Sequence, residues 1–199
     1  MKLSFKTLAR LSVLSISALS ISVLSGGVNA ADSVAAPAGS VLLLISPHDY
    51  KYSAHIGVPY YSYWFEQGPI VEPIAFKALQ AEDSSLKMCT GNETANSIIR
   101  IKPYIFFNLQ LGVYHSKLEA TLYSGDGSER GRYVGEAQQI GAINGWPSVK
   151  YNLNKVYTRA MQDLMTKLDV KSLAGTARTE TMLPCRLIAG QAEARFSFY

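Results

Sequence analysis

Histidine and cysteine are both scarce in this chain, at three and two among 199 residues. A zinc site needs three or four ligands at suitable spacing. His48, His55 and His115 form no H-E-x-x-H pair, and Cys89 and Cys185 have no metal-type spacing. The expectation is therefore no metal and no cofactor, with the histidines as ordinary loop residues. No G-x-S-x-G nucleophile motif is present. Ser124-Gly125-Asp126-Gly127-Ser128 is glycine-rich, but it lacks the lysine of a phosphate-binding loop and does not open a helix. Past residue 30, no apolar run approaches the roughly 20 residues that span a bilayer.

Charge of one sign is also missing. Lys2, Lys6 and Arg10 fall in residues 1–30, where there is no carboxylate. That leaves 16 of the 19 cations against all 15 anions for the rest of the chain. Recognition of nucleic acid rests on a clustered excess of cations, so no nucleic-acid partner is expected.

What is present begins with residues 1–30. A basic start leads into "LSVLSISALSISVLSG" and then "VNA", with Val28 and Ala30 at −3 and −1 of a cleavage point. This is the layout of a secretory signal peptide. A retained anchor is the competing reading, although the run is short and diluted by serine. Residues 31–39, "ADSVAAPAG", read as a flexible leader. Residues 40–199 read as a single domain large enough for a substantial core. In an exported chain an even pair of cysteines predicts a disulfide, Cys89–Cys185. It would close a long loop, for which the chain-entropy model gives about 4–5 kcal/mol.

"SVLLLISP", from Ser40, suits a strand buried on both faces. "GPIVEPIAFKALQAE" reads as a helix with Pro69 or Pro73 in its first turn and Ile70, Ile74 and Leu79 on one face. Ile99 and Ile101, then Leu118, Ala120 and Leu122, alternate as strands do. Asp126-Gly127 marks a hairpin between two such runs. Pro103 marks a break or an edge position. "SVKYNLNKVYTRAMQDLMTKLDV" repeats Leu153, Val156, Tyr157, Ala160, Met161 and Leu164 at helical spacing, with Ser148 as a candidate cap. The tail from Arg186 reads as a last strand or a surface segment. The expected class is α+β: a two-layer sandwich whose mostly antiparallel sheet carries two helices on one face.

The aromatic residues are concentrated. Seven of the sixteen residues from Tyr50 to Phe65 are Tyr, Trp or Phe. Gly57, Pro59 and Gly68 break any regular pattern, so the segment reads as a loop. Trp64 and Phe65 are expected inside, stapling the entry to the helix. Tyr50, Tyr52, Tyr60, Tyr61 and Tyr63 are the candidate binding residues, because tyrosine suits half-wet contact surfaces. Glu66 with Glu72, or Glu119 with Glu136, are candidate acid–base pairs, against the simpler reading of exposed charges on strands.

The runs "GPIVEPIAFKAL" and "ANSIIRIKPYIFFNLQLGVYHSKLEATLYSGDGSERGRYVGEAQ", followed by the amphipathic helix, resemble small envelope proteins of Gram-negative bacteria. These are periplasmic or outer-membrane α/β accessory lipoproteins, such as the auxiliary lipoproteins of ABC-type lipid transport. The resemblance covers roughly residues 40–170 and is one of architecture. Those families carry a lipobox cysteine after the signal, and this chain has none, so a lipid anchor does not carry over. The resemblance implies a non-enzymatic accessory role.

The expectation is then a periplasmic binding protein that contacts an envelope protein, peptidoglycan or lipid through its tyrosine-rich segment, with peripheral membrane contact left open. One alternative is an enzyme acting on cell wall or carbohydrate through His48, His55 or Glu66. Another is a small outer-membrane β-barrel, suggested by the alternating "ARFSFY" at the end.

Overall fold

The computed structural model describes residues 40–58, 60–170, 173 and 182–194. The expected signal and leader, and the end of the tail, lie outside them.

Four apolar residues, Val41–Leu44, form strand β1. All four are buried, because the sheet is covered on both sides here. Ser46 then caps a short helix, α1 (Pro47–Lys51): its hydroxyl accepts from the Asp49 N–H at 3.1 Å and donates to the Asp49 carboxylate at 2.9 Å. Arg100 reaches the same carboxylate at 2.8 Å with both side chains buried. Removing one partner would strand a buried charge, a cost of about 3–5 kcal/mol.

Strands β2 (Ser53–Val58) and β3 (Tyr61–Glu66) form a hairpin, followed by helix α2 (Gly68–Glu82). Pro69 sits in the first turn of α2 and Pro73 lies inside the helix, on its exposed side. After the two-residue strand β4 (Lys87–Met88) come three long strands, β5 (Ser97–Asn108), β6 (Val113–Ser124) and β7 (Glu129–Ile140). Helix α3 (Trp146–Lys167) and helix α4 (Cys185–Ala194) follow.

The architecture is α+β. The main sheet is mixed, in the order β4-β1-β5-β6-β7, and β2–β3 forms a separate antiparallel pair. β1 runs parallel to both β4 and β5, whereas β5, β6 and β7 form an antiparallel meander. The described strands end in two edges and do not close into a barrel. Pro103 is accommodated as an edge residue: β1 ends at Leu44, opposite Arg100, so β5 has no β1 partner beyond that point.

Strand alternation divides the core. Val41, Leu43, Ile99, Ile101, Leu118, Ala120 and Leu122 join the buried faces of α2, α3 and the hairpin in the main cluster. Leu42, Leu44, Ile98 and Tyr123 face the other way and meet Cys185 and Ile188 of α4. The last element therefore differs from the expectation: "RLIAGQAEA" is helical, and it covers the second face at one end. The Cys89–Cys185 disulfide fixes it there, with Cα atoms 6.1 Å apart and the cysteines separated by 96 positions in the sequence. For a loop of that size the chain-entropy model gives about 4.7 kcal/mol.

Helix α3 lies against β7. Its apolar stripe is the expected one, Leu153 to Leu164, extended by Val149. Ser148 does not cap it; its hydroxyl donates to the Ala142 carbonyl at 2.8 Å, and Gly145, with φ of 85°, makes the entry turn. A Cβ at Gly135 would meet the Ala160 carbonyl oxygen at 2.2 Å, so only glycine lets β7 approach this closely. The outer edge of β7 is hydrogen-bonded by side chains of α3. Asp163 accepts from the Glu136 N–H at 2.9 Å, and Lys167 donates to the Val134 carbonyl at 2.8 Å.

Candidate functional site

The aromatic segment is a hairpin with two unlike faces. Cross-strand register pairs Ala54 with Phe65 and Ile56 with Tyr63, and His55 with Trp64. Side chains alternate between faces along each strand. Ala54, Ile56 and Phe65 therefore point inward and are buried in the main core. Tyr63 is half-buried against Trp146 at the start of α3, with ring centroids 6.1 Å apart, and Phe65 meets the same indole at 6.0 Å.

The opposite face is solvent-exposed. Trp64 is 69% exposed and stacks on His55 with centroids 4.6 Å apart. Ser62 holds the His55 ring through a 2.7 Å hydrogen bond to Nε2. The ring folds over Gly57, where an added Cβ would lie 2.7 Å from it. The result is a flat platform on the outer surface of the hairpin.

Placement of Phe65 agrees with the sequence reading and that of Trp64 does not. Both were expected inside, but neighbouring strand residues cannot share a face, so burying Phe65 exposes Trp64. The tyrosines separate into groups. Tyr52, Tyr60 and Tyr61 are exposed, Tyr60 almost fully. Tyr61 lies 6.5 Å from Tyr63, which is half-buried. Tyr50 is packed rather than displayed: a Cβ at Gly68 would come within 2.4 Å of its ring. Partial burial raises the Tyr50 pKa, and the nearby carboxylates of Glu72 and Glu66 add to the shift. The pattern "YSYWFE" contained the signal for Trp64, since period-two parity from a buried Phe65 places it outside.

The groups considered for catalysis have separate partners. His48 lies 3.6 Å from Asp49 and 6.1 Å from the Tyr52 ring, while His55 belongs to Ser62 and Trp64. Glu66 pairs in register with Ser53 on the exposed face. Glu119 stands opposite Val134, and Glu136 opposite Lys117, so those two carboxylates do not face each other directly. Two cavities of about 680 and 690 Å³ lie elsewhere, on the main sheet and between α2 and α3. One ligand-type cluster, Cys89, Glu93 and Cys185, occurs among the described residues, and its two sulfurs are bonded to each other.

No protein-family model and no curated protein matches the chain. A solved structure described as "Crystal structure of uncharacterized protein" is similar over 66% of this chain and 93% of that chain, at 6% identity and a TM-score of 0.42.

Proposed function

We propose that this is a non-enzymatic binding protein of the cell envelope that engages its partner through the outer face of the β2–β3 hairpin. The observation that carries the proposal is the exposed Trp64 indole stacked on His55, with the exposed Tyr60 in the turn of the same hairpin. Large exposed aromatics held in fixed positions lose little freedom on binding and dominate contact energies. The inner face supports the same reading: Phe65, Ile56 and Ala54 anchor the hairpin in the core, so the platform is rigidly mounted. A disulfide is the mark of an oxidising compartment, which accords with an exported chain led by residues 1–30.

Of the envelope components, the sugar rings of peptidoglycan fit best. The apolar face of a pyranose stacks on a flat indole, and Ser62 and His55 supply hydrogen-bonding groups at its rim. The test is co-sedimentation with purified peptidoglycan sacculi, together with quenching of tryptophan fluorescence by glycan fragments. Trp64→Ala should abolish both while leaving the fold intact. Sedimentation with lipid vesicles instead of sacculi would reassign the platform to the membrane interface, where Trp and Tyr also gather. No binding to sacculi, vesicles or crosslinked envelope proteins would overturn the proposal.

A further inference from the structure

The second face of the meander carries side chains that the hairpin leaves unused. Cross-strand register puts Arg100, Thr121 and Arg132 in one row, Lys102 and Glu119 in the next, and Tyr104 and Lys117 in a third. The first two rows, closed by Tyr104 and Tyr123, line a cup of about 90 Å³. That is room for several waters or for one tetrahedral oxyanion. Three cations line it against one carboxylate.

The cations are held in place. Arg100 is buried, and Asp49 takes one end of its guanidinium, yet its Nε is buried without a hydrogen-bond partner. Orphaned buried donors are rare and call for a partner. Lys102 lies over the Tyr104 ring, 5.2 Å from its centroid. Arg132 is 3.4 Å from Glu119 and 3.4 Å from Glu129. Glu119 thus answers Arg132 at the rim with Glu129 behind it, and Asp49 backs Arg100, so of these three carboxylates only Glu119 lines the cup itself.

We infer that this cup is an oxyanion site that takes a phosphate or the phosphate group of a monoester. Arginine's planar donors match such oxygens, and the Thr121 and Tyr123 hydroxyls can donate to them. Tyr104 is shared with the 680 Å³ trough that runs on past Phe106, His115 and Gln138. The body of an ester would lie across Tyr104 in that trough. This site is separate from the hairpin and does not depend on the role proposed for it.

The experiment is an amide NMR titration of the purified protein at low ionic strength, first with inorganic phosphate and then with phenyl phosphate. Saturable shifts are expected around residues 100, 121 and 132. Lys102→Gln and Arg132→Gln should each weaken binding about tenfold, and Glu119→Gln should strengthen it. These three side chains reach the surface, so the variants keep the fold; Arg100 is left intact because of Asp49. Trp64→Ala should change nothing. Tighter binding of phenyl phosphate that is lost in Phe106→Ala would place an ester in the trough. Equal affinity for both compounds would assign the cup to the free ion. Binding to vesicles containing phosphatidic acid that Arg132→Gln abolishes would identify the ester as a lipid headgroup. Absence of shifts with both compounds, or shifts that the three variants leave unchanged, would overturn the inference.

Discussion

Lys117 and Leu118 are neighbours in β6, and they meet different surroundings. Leu118 is fully buried among the helices, whereas Lys117 reaches solvent beside Glu119. Phe65 and Trp64 repeat the contrast in the hairpin, with Phe65 buried and Trp64 mostly exposed. In both places the inner face holds the fold together and the outer face is free to display chemistry. The two faces are built from the same strands, so a change in one residue should act on stability or on binding, but seldom on both.

The sharpest break of that contrast is Phe65→Ala, which should cost about 3–5 kcal/mol through loss of a buried ring. Trp64→Ala, one residue away, should stay within about 0.5 kcal/mol. Urea unfolding midpoints of the two variants measure the difference, and comparable losses would show that the outer ring is structural after all. Gly135→Ala comes next. The added methyl must displace the backbone of α3 at Ala160, and overpacking of this kind costs about 1–3 kcal/mol. Thermal unfolding would register it as a lowered midpoint with unchanged platform binding.

The smallest effect lies at the β6–β7 turn. Hydrogen bonds from the Ser124 hydroxyl, and from the backbone and hydroxyl of Ser128, hold the Asp126 pKa down to about 2. A carboxylate whose pKa is lower in the folded state contributes stability above its unfolded pKa of about 3.9 and loses it as pH falls toward the folded value. Stability should therefore decline between about pH 4 and pH 2, and Asp126→Asn should lose this part of the decline. An NMR titration of the Asp126 carboxyl that gives an ordinary pKa would remove the effect.

Local patterns were legible where a segment's own neighbours decide its structure. Asp126-Gly127 marked the β6–β7 turn, and Leu153 to Leu164 marked the buried stripe of α3. The pairing of Cys89 with Cys185 was readable from their number alone. Choices made between distant segments were hidden. Gly57 and Pro59 disguise two strands as a loop, which hides the parity that exposes Trp64. The parallel pairing of β1 with β4 and β5 has no local signature. The cup on the second face was invisible for the same reason: Arg100 and Arg132 become neighbours only once β5, β6 and β7 are in register.

The contact between α3 and the rim of β7 reaches beyond this one molecule. An unpaired strand rim invites a second chain to add to it. Here Asp163 and Lys167 occupy backbone groups on one rim, and at the other β4 is only two residues long. Among the described residues, the two ends of the main sheet thus offer a second copy little main chain, while β5 runs on past the end of β1 as a further rim. Where the β7 groups are occupied, a second copy would meet side chains rather than main chain.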